Sequence, residues 1–191
     1  MTPTTAATTT TTATTDALPG LAQGTWSVDA SHTELAFTAR HLMVTKVRGR
    51  FTDLTGTVSV GETLADSGAD VTVQMTSVET GSADRDAHLR SGDFFDVEAF
   101  PTMAFRATSF EGGSLTGDLT IKGVTRPVTF DVGFNGVATD PWGNLKAGFE
   151  ASAEVNRKDW DLTWNVALES GGVLVSEKVK LSLDVQLVKS A

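Results

Sequence analysis

Along most of the chain, apolar and polar residues alternate with a period of two, the spacing of a strand with one buried face. The C-terminus shows it most plainly: Val179, Leu181, Leu183, Val185 and Leu187 alternate with Lys178, Lys180, Ser182, Asp184 and Gln186. A helix would scatter those apolar residues around its circumference. The same pattern runs through Leu35, Phe37 and Ala39, through Val71, Val73 and Met75, and through Leu115, Leu119 and Ile121. It returns in Val128, Phe130, Val132 and Phe134, and again in Leu145, Ala147, Phe149, Ala151 and Ala153. Further strands are expected near 47–60 and 102–110, with a short one at 173–176. Turn signals stand at Gly112-Gly113, Asn135-Gly136, Asp140-Pro141 with Trp142-Gly143, and Gly171-Gly172. Many short strands with regular turns predict one all-β domain, a sandwich or closed barrel.

Two stretches break the alternation. In residues 82–101, Ser82 is placed to cap a helix, Asp84 and Asp86 suit its positive end, and Gly92 stops it. Phe94, Phe95 and Phe100 then cluster before Pro101. This predicts a short helix and an irregular turn across one end of the barrel. The other stretch is the N-terminus, where Met1 to Asp16 are almost all Thr and Ala. Such a segment has little to bury, so residues 1–17 are expected to be a disordered tail and 18–191 the folded domain.

Composition narrows the function classes. The chain has 191 residues, 40% of them apolar, and a formal net charge of −9. The acidic balance argues against a nucleic-acid binder and against docking on anionic lipid through charge. The lack of cysteine removes disulfides, thiolate metal sites and a thiol nucleophile. No apolar run is long enough for a membrane helix. With no Lys or Arg before the first apolar residues, no secretory signal is read. The expected location is the cytoplasm, or the periplasm or exterior if the true N-terminus lies elsewhere.

Candidate chemistry is sparse. There is no nucleotide-binding glycine loop, His-Glu-x-x-His or Gly-x-Ser-x-Gly. His32, His41 and His88 lack the spacing of a metal site, so neither metal nor cofactor is expected. His41 shares the parity of Leu35, Phe37 and Ala39, which would set it at the end of an apolar stripe, against the polar end of a ligand. Asp93 with Asp96, and Asp159 with Asp161, read as solvated loop carboxylates. Small residues at Ala39, Gly117, Ala147, Ala151 and Ala153 would leave room inside a barrel of about eight strands, which is either filled or holds one ligand.

Several segments in fixed order resemble the YceI-like family of lipocalin-like, polyisoprenoid-binding proteins. They are Trp26-Ser-Val-Asp29 with Ser31-His32, Phe37-x-x-Arg40-His41, Gly49-x-Phe51 and Ser77-Val-Glu-Thr80. The most specific is His88-Leu-Arg-Ser-Gly-Asp-Phe-Phe-Asp96 leading to Phe100-Pro-Thr-Met-Ala-Phe105. Gly117 to Pro127 and Asn156-Arg157-Lys-Asp159-Trp160 complete the set. Asp161 stands where the family usually has glycine, and the Thr-rich extension stands in place of an export signal. The resemblance implies an eight-stranded antiparallel barrel with a helix near its mouth, an elongated apolar tunnel, often a homodimer, and no catalytic residues. The ligand-binding candidates are His32, Phe37, His41, Phe51, Phe94, Phe95, Phe105 and Trp160. The expected function is carriage of a long apolar molecule. The competing readings are an enzyme using His32, His41 or Arg40, and a stress-response protein acting by protein contact.

Overall fold

The computed structural model describes residues 13–169 and 171–190. Eleven antiparallel strands lie among them: β1 (Gly24–Val28), β2 (Glu34–His41), β3 (Thr45–Phe51), β4 (Leu54–Val60), β5 (Gly68–Gln74), β6 (Val78–Glu79), β7 (Thr102–Glu111), β8 (Ser114–Ile121), β9 (Val124–Thr139), β10 (Leu145–Asn156) and β11 (Lys178–Lys189). Three pairs of short strands are halves of single bent staves. β1 and β2 both pair with β11, with Trp26 opposite Lys189 and Leu35 opposite Leu183. β4 and β3 follow β1 and β2, and β5 and β6 follow β4 and β3. Counted as staves, eight strands run up and down in sequence order and the last closes on the first. The fold is thus the expected eight-stranded antiparallel barrel, closed where β11 pairs with β1 and β2.

The bends have local causes. Between β1 and β2, Asp29 accepts from the Ser31 amide (3.2 Å) and hydroxyl (2.6 Å), starting a 3-10 turn at Ala30–His32. The same carboxylate accepts from Lys146 Nζ, His32 Nδ1 and Gln186 Nε2, each at 2.9 Å, so one side chain ties the first stave to β10 and β11. These donors, Ser31 foremost and then Lys146, hold its pKa well below the usual carboxylate range against the opposing effect of burial. The β2–β3 turn carries left-handed backbone at two bulky residues, Leu42 (φ 53°) and Met43 (φ 58°). Each such residue costs roughly 1–2 kcal/mol.

Three sequence expectations are corrected. Asn135-Gly136 is no turn: it lies inside the 16-residue β9. Gly136 (φ 112°) stands opposite Gly148 while Phe134 stands opposite Phe149, so Asn135 is the extra residue of a bulge. The alternation in β10 continues past it, and pairing there outweighs the local turn preference. The strand expected at 173–176 is reduced to isolated bridges, His41 to Val175 and Ala167 to Val173. The tail boundary also moves. Thr14–Ala17 forms a short helix, α1, and Thr14 is buried, its amide donating to Glu62 O (3.0 Å) and its hydroxyl to Gly61 O (3.1 Å). The rest of the expected tail, residues 1–12, lies outside the described residues.

The helix expected after Ser82 is α2 (Ala83–Arg90). Asp86 accepts from the Thr80 amide (2.8 Å) and hydroxyl (2.6 Å), while Arg90 donates to Thr76 O (2.9 Å) and Val78 O (2.7 Å). These contacts clamp α2 to β6 at one end of the barrel. α1 and the wholly buried Trp26 lie at the other.

Candidate functional site

The inward faces of the staves surround a cavity of about 310 Å³ that touches Thr14 of α1 with Leu18 and Leu21 at one end and Phe94, Trp160 and Val175 at the other. Its wall on β11 is the apolar set read from the sequence, Val179 through Leu187. Eight residue steps at about 3.4 Å, on a strand tilted roughly 40°, give a tunnel about 20 Å long. Polar side chains on the wall are few: Thr14, Ser67, Ser109 and Arg157.

The lumen stays open partly because glycines let aromatic rings lie flat against the wall. Phe37 on β2 pairs with Gly49 on β3, and a Cβ at Gly49 would collide with the Phe37 ring. Gly117 on β8 makes the same allowance for Phe105. Phe37 meets Phe51 at 5.7 Å between ring centres, Phe51 meets Phe95 at 5.9 Å, and Phe105 meets Phe130 edge-on at 5.4 Å. Among the small residues, Ala39 and Ala151 line the tunnel, whereas Ala147, Ala153 and Gly117 are not on its surface.

Six of the eight residues singled out from the sequence line this tunnel: Phe37, Phe51, Phe94, Phe95, Phe105 and Trp160. The two histidines do not. His32 is exposed outside the barrel beside Asp29. His41 ends β2, paired with Thr45 and bridged to Val175, off the tunnel surface. The strand parity holds for Leu35, Phe37 and Ala39, but the wall ends before His41.

Three further residues shape the site. Arg157, 5% exposed, borders the tunnel. Its Nε donates to Ser176 O (3.0 Å), its Nη1 to Leu162 O, and its Nη2 reaches Val175 O (3.5 Å). Burial lowers its pKa from the ordinary arginine value, and nearby Glu177 partly opposes that. Trp164 meets His88 edge-on (4.6 Å between ring centres) and Phe94 at a tilt (5.2 Å), joining α2 and the segment after it to the loop after β10. Thr14 is part of the wall at the far end. Arg157 falls inside one of the family-like motifs, so the sequence carries a signal there but not the residue's role. Trp164 and Thr14 sit in stretches with no alternation to mark them.

Comparison with known proteins places this geometry. The family described as the YceI-like domain matches residues 26–187. A UPF0312 protein of Staphylococcus aureus (strain N315) is 37% identical over 166 residues, 84% of this chain and 95% of that protein. The crystal structure of the Campylobacter jejuni YCEI protein superposes with a TM-score of 0.68 at 29% identity, over 80% of this chain and 90% of that one. A polyisoprenoid binding domain from Saccharophagus degradans, implicated in plant cell wall breakdown, shares the fold with a TM-score of 0.67 at 15% identity, over 86% of this chain and 98% of that one.

Proposed function

The chain belongs to the YceI-like domain family, and from that premise we propose that it binds and carries one long apolar molecule, a polyisoprenoid or related lipid, without altering it. The observation that carries this reading is the apolar tunnel itself, which runs from α1 to the segment after α2 with four polar side chains on its wall. Burying each methylene of a chain contributes about 0.8 kcal/mol before ordering costs, so a long chain binds without many polar contacts. The ligand named for the Saccharophagus domain of the same fold has this chemistry. His32, Arg40 and His41, the groups of the enzymatic reading, are not among the residues that line the tunnel.

Mass spectrometry of an organic extract of the protein, purified gently from its native host, tests the reading. A recurring long-chain amphiphile near one per chain is expected. Repeatedly empty extracts overturn the carrier function. A changed, released product points to chemistry instead.

A further inference from the structure

The tip of the β2–β3 hairpin gathers three features that each work against stability. Its two central residues, Leu42 and Met43, hold left-handed backbone that glycine or asparagine would adopt more readily. Its apolar side chains face outward, with Met43 55% and Val44 78% exposed, and Val166 on the adjoining loop is 45% exposed. Behind the tip, Arg40 and Lys46 stand directly opposite one another, and Arg48 follows on the same outward face opposite Thr38. Like charges so placed repel. None of the three is in an ion pair among the described residues. The loop between β10 and β11 carries the acidic residues Asp159, Asp161, Glu169 and Glu177, of which Glu177 pairs with Lys158.

Local rules broken together at one place mark a site shaped for something other than stability. An apolar tip with a cationic collar suits an interface where hydrocarbon lies beneath a layer of negative charge. We infer that this hairpin docks the protein on an anionic phospholipid surface: Leu42, Met43 and Val44 enter the acyl boundary, and Arg40, Lys46 and Arg48 meet the headgroup phosphates. The acidic composition argues against such docking, but exposed charges are screened beyond about 10 Å at 0.1 M salt, so the local collar outweighs the distant net charge. A second copy fits less well, because tip-to-tip pairing would bring two basic collars together.

The position gives the docking a purpose, which rests on the carrier reading. The Leu42 amide donates to Leu174 O (2.8 Å), and His41 bridges to Val175, a residue of the tunnel wall. The hairpin therefore seats the tunnel's α2 end on the membrane, so that an apolar cargo enters without crossing water.

Flotation of the full chain with phosphatidylcholine vesicles, with and without phosphatidylglycerol, tests the inference. The wild type should float with the anionic vesicles at about 0.1 M salt and far less with the neutral ones. A Met43→Asn, Val44→Thr variant keeps a residue tolerant of left-handed backbone in the turn and should lose most of the binding while melting normally. A Lys46→Gln, Arg48→Gln variant should bind roughly fivefold more weakly per charge removed. Absence of wild-type flotation, flotation unchanged in both variants, or a tip-dependent dimer that does not float would each overturn it. Flotation needs no cargo, so empty extracts would remove the carrier reading and leave the docking intact.

Discussion

The two ends of the barrel are closed in different ways. At the α1 end, short turns and a buried Thr14 meet the Trp26 cluster, where the indole is wholly buried and its Nε1 donates to Ala22 O at 2.9 Å. At the α2 end the cover is irregular backbone. There α2 is pinned through Asp86 and Arg90, but the following Phe94 is held through ring contacts with His88 and Trp164. The segment after α2 closes on its own turns, with the Phe94 amide donating to Ser91 O (3.0 Å) and the Phe95 amide to Leu89 O (3.0 Å), while apolar ring contacts fasten it to the loop after β10, so it can lift as a unit if those contacts part. Under the carrier reading, the α2 end is the expected gate.

The largest expected effect lies at the sealed end. Trp26→Ala should lower stability by about 3–5 kcal/mol, as loss of a close-packed aromatic does. Phe94→Ala, whose ring borders a cavity that already exists, should cost less, about 2 kcal/mol, and should speed ligand release. Denaturant melts of both variants and a ligand off-rate for Phe94→Ala check the pair. Strong destabilisation by Phe94→Ala with an unchanged off-rate would make the α2 end a second seal and remove the contrast.

Asp29 sharpens the picture from the side wall. Asp29→Ala should cost about 2 kcal/mol, since several charge-assisted hydrogen bonds end on this carboxylate. Its folded pKa is depressed, so its contribution is complete above the unfolded carboxylate value of about 3.9 and is lost as pH falls through the folded value. Below about pH 4 the wild type should lose stability more steeply than Asp29→Asn, which thermal melts across that range would show. Gly49→Ala tests the lumen: the new methyl should push the Phe37 ring inward, cost roughly 1–3 kcal/mol and weaken ligand binding. Binding unchanged by that substitution would mean the ligand does not pass Phe37.

The difference between the ends also explains what the sequence makes legible. Regular staves announce themselves by alternation, so the apolar set from Val179 to Leu187 and the stripe of Leu35, Phe37 and Ala39 are readable from the residue pattern alone, whereas which face turns inward is settled only by closure of the barrel. α2 is readable from the acidic residues Asp84 and Asp86 in its first turn and the break before Gly92, although the expected side-chain cap from Ser82 does not form. The ends depend on contacts distant in sequence. Thr14 is buried only because Gly61 and Glu62 offer it carbonyls, and nothing in a Thr-rich run distinguishes it from its neighbours. Trp164 finds His88 and Phe94 from a loop without periodicity. His41 misleads for the opposite reason: parity fixes a side, but not where along the strand the cavity stops.

The smallest effect gives the finest test of the seal. Thr14→Val keeps the shape of the side chain and removes only the hydroxyl that donates to Gly61 O. One hydrogen bond of this kind contributes about 1 kcal/mol net, which in a chain of this size is about 2–4 °C of melting temperature. The backbone bond from Thr14 to Glu62 O survives the substitution, so α1 should stay in place. If the α1 end is a seal, ligand exchange in Thr14→Val should match the wild type while the melt shifts slightly. Exchange accelerated as much as in Phe94→Ala would show that cargo passes at both ends, and the barrel would then be a through-channel with two gates.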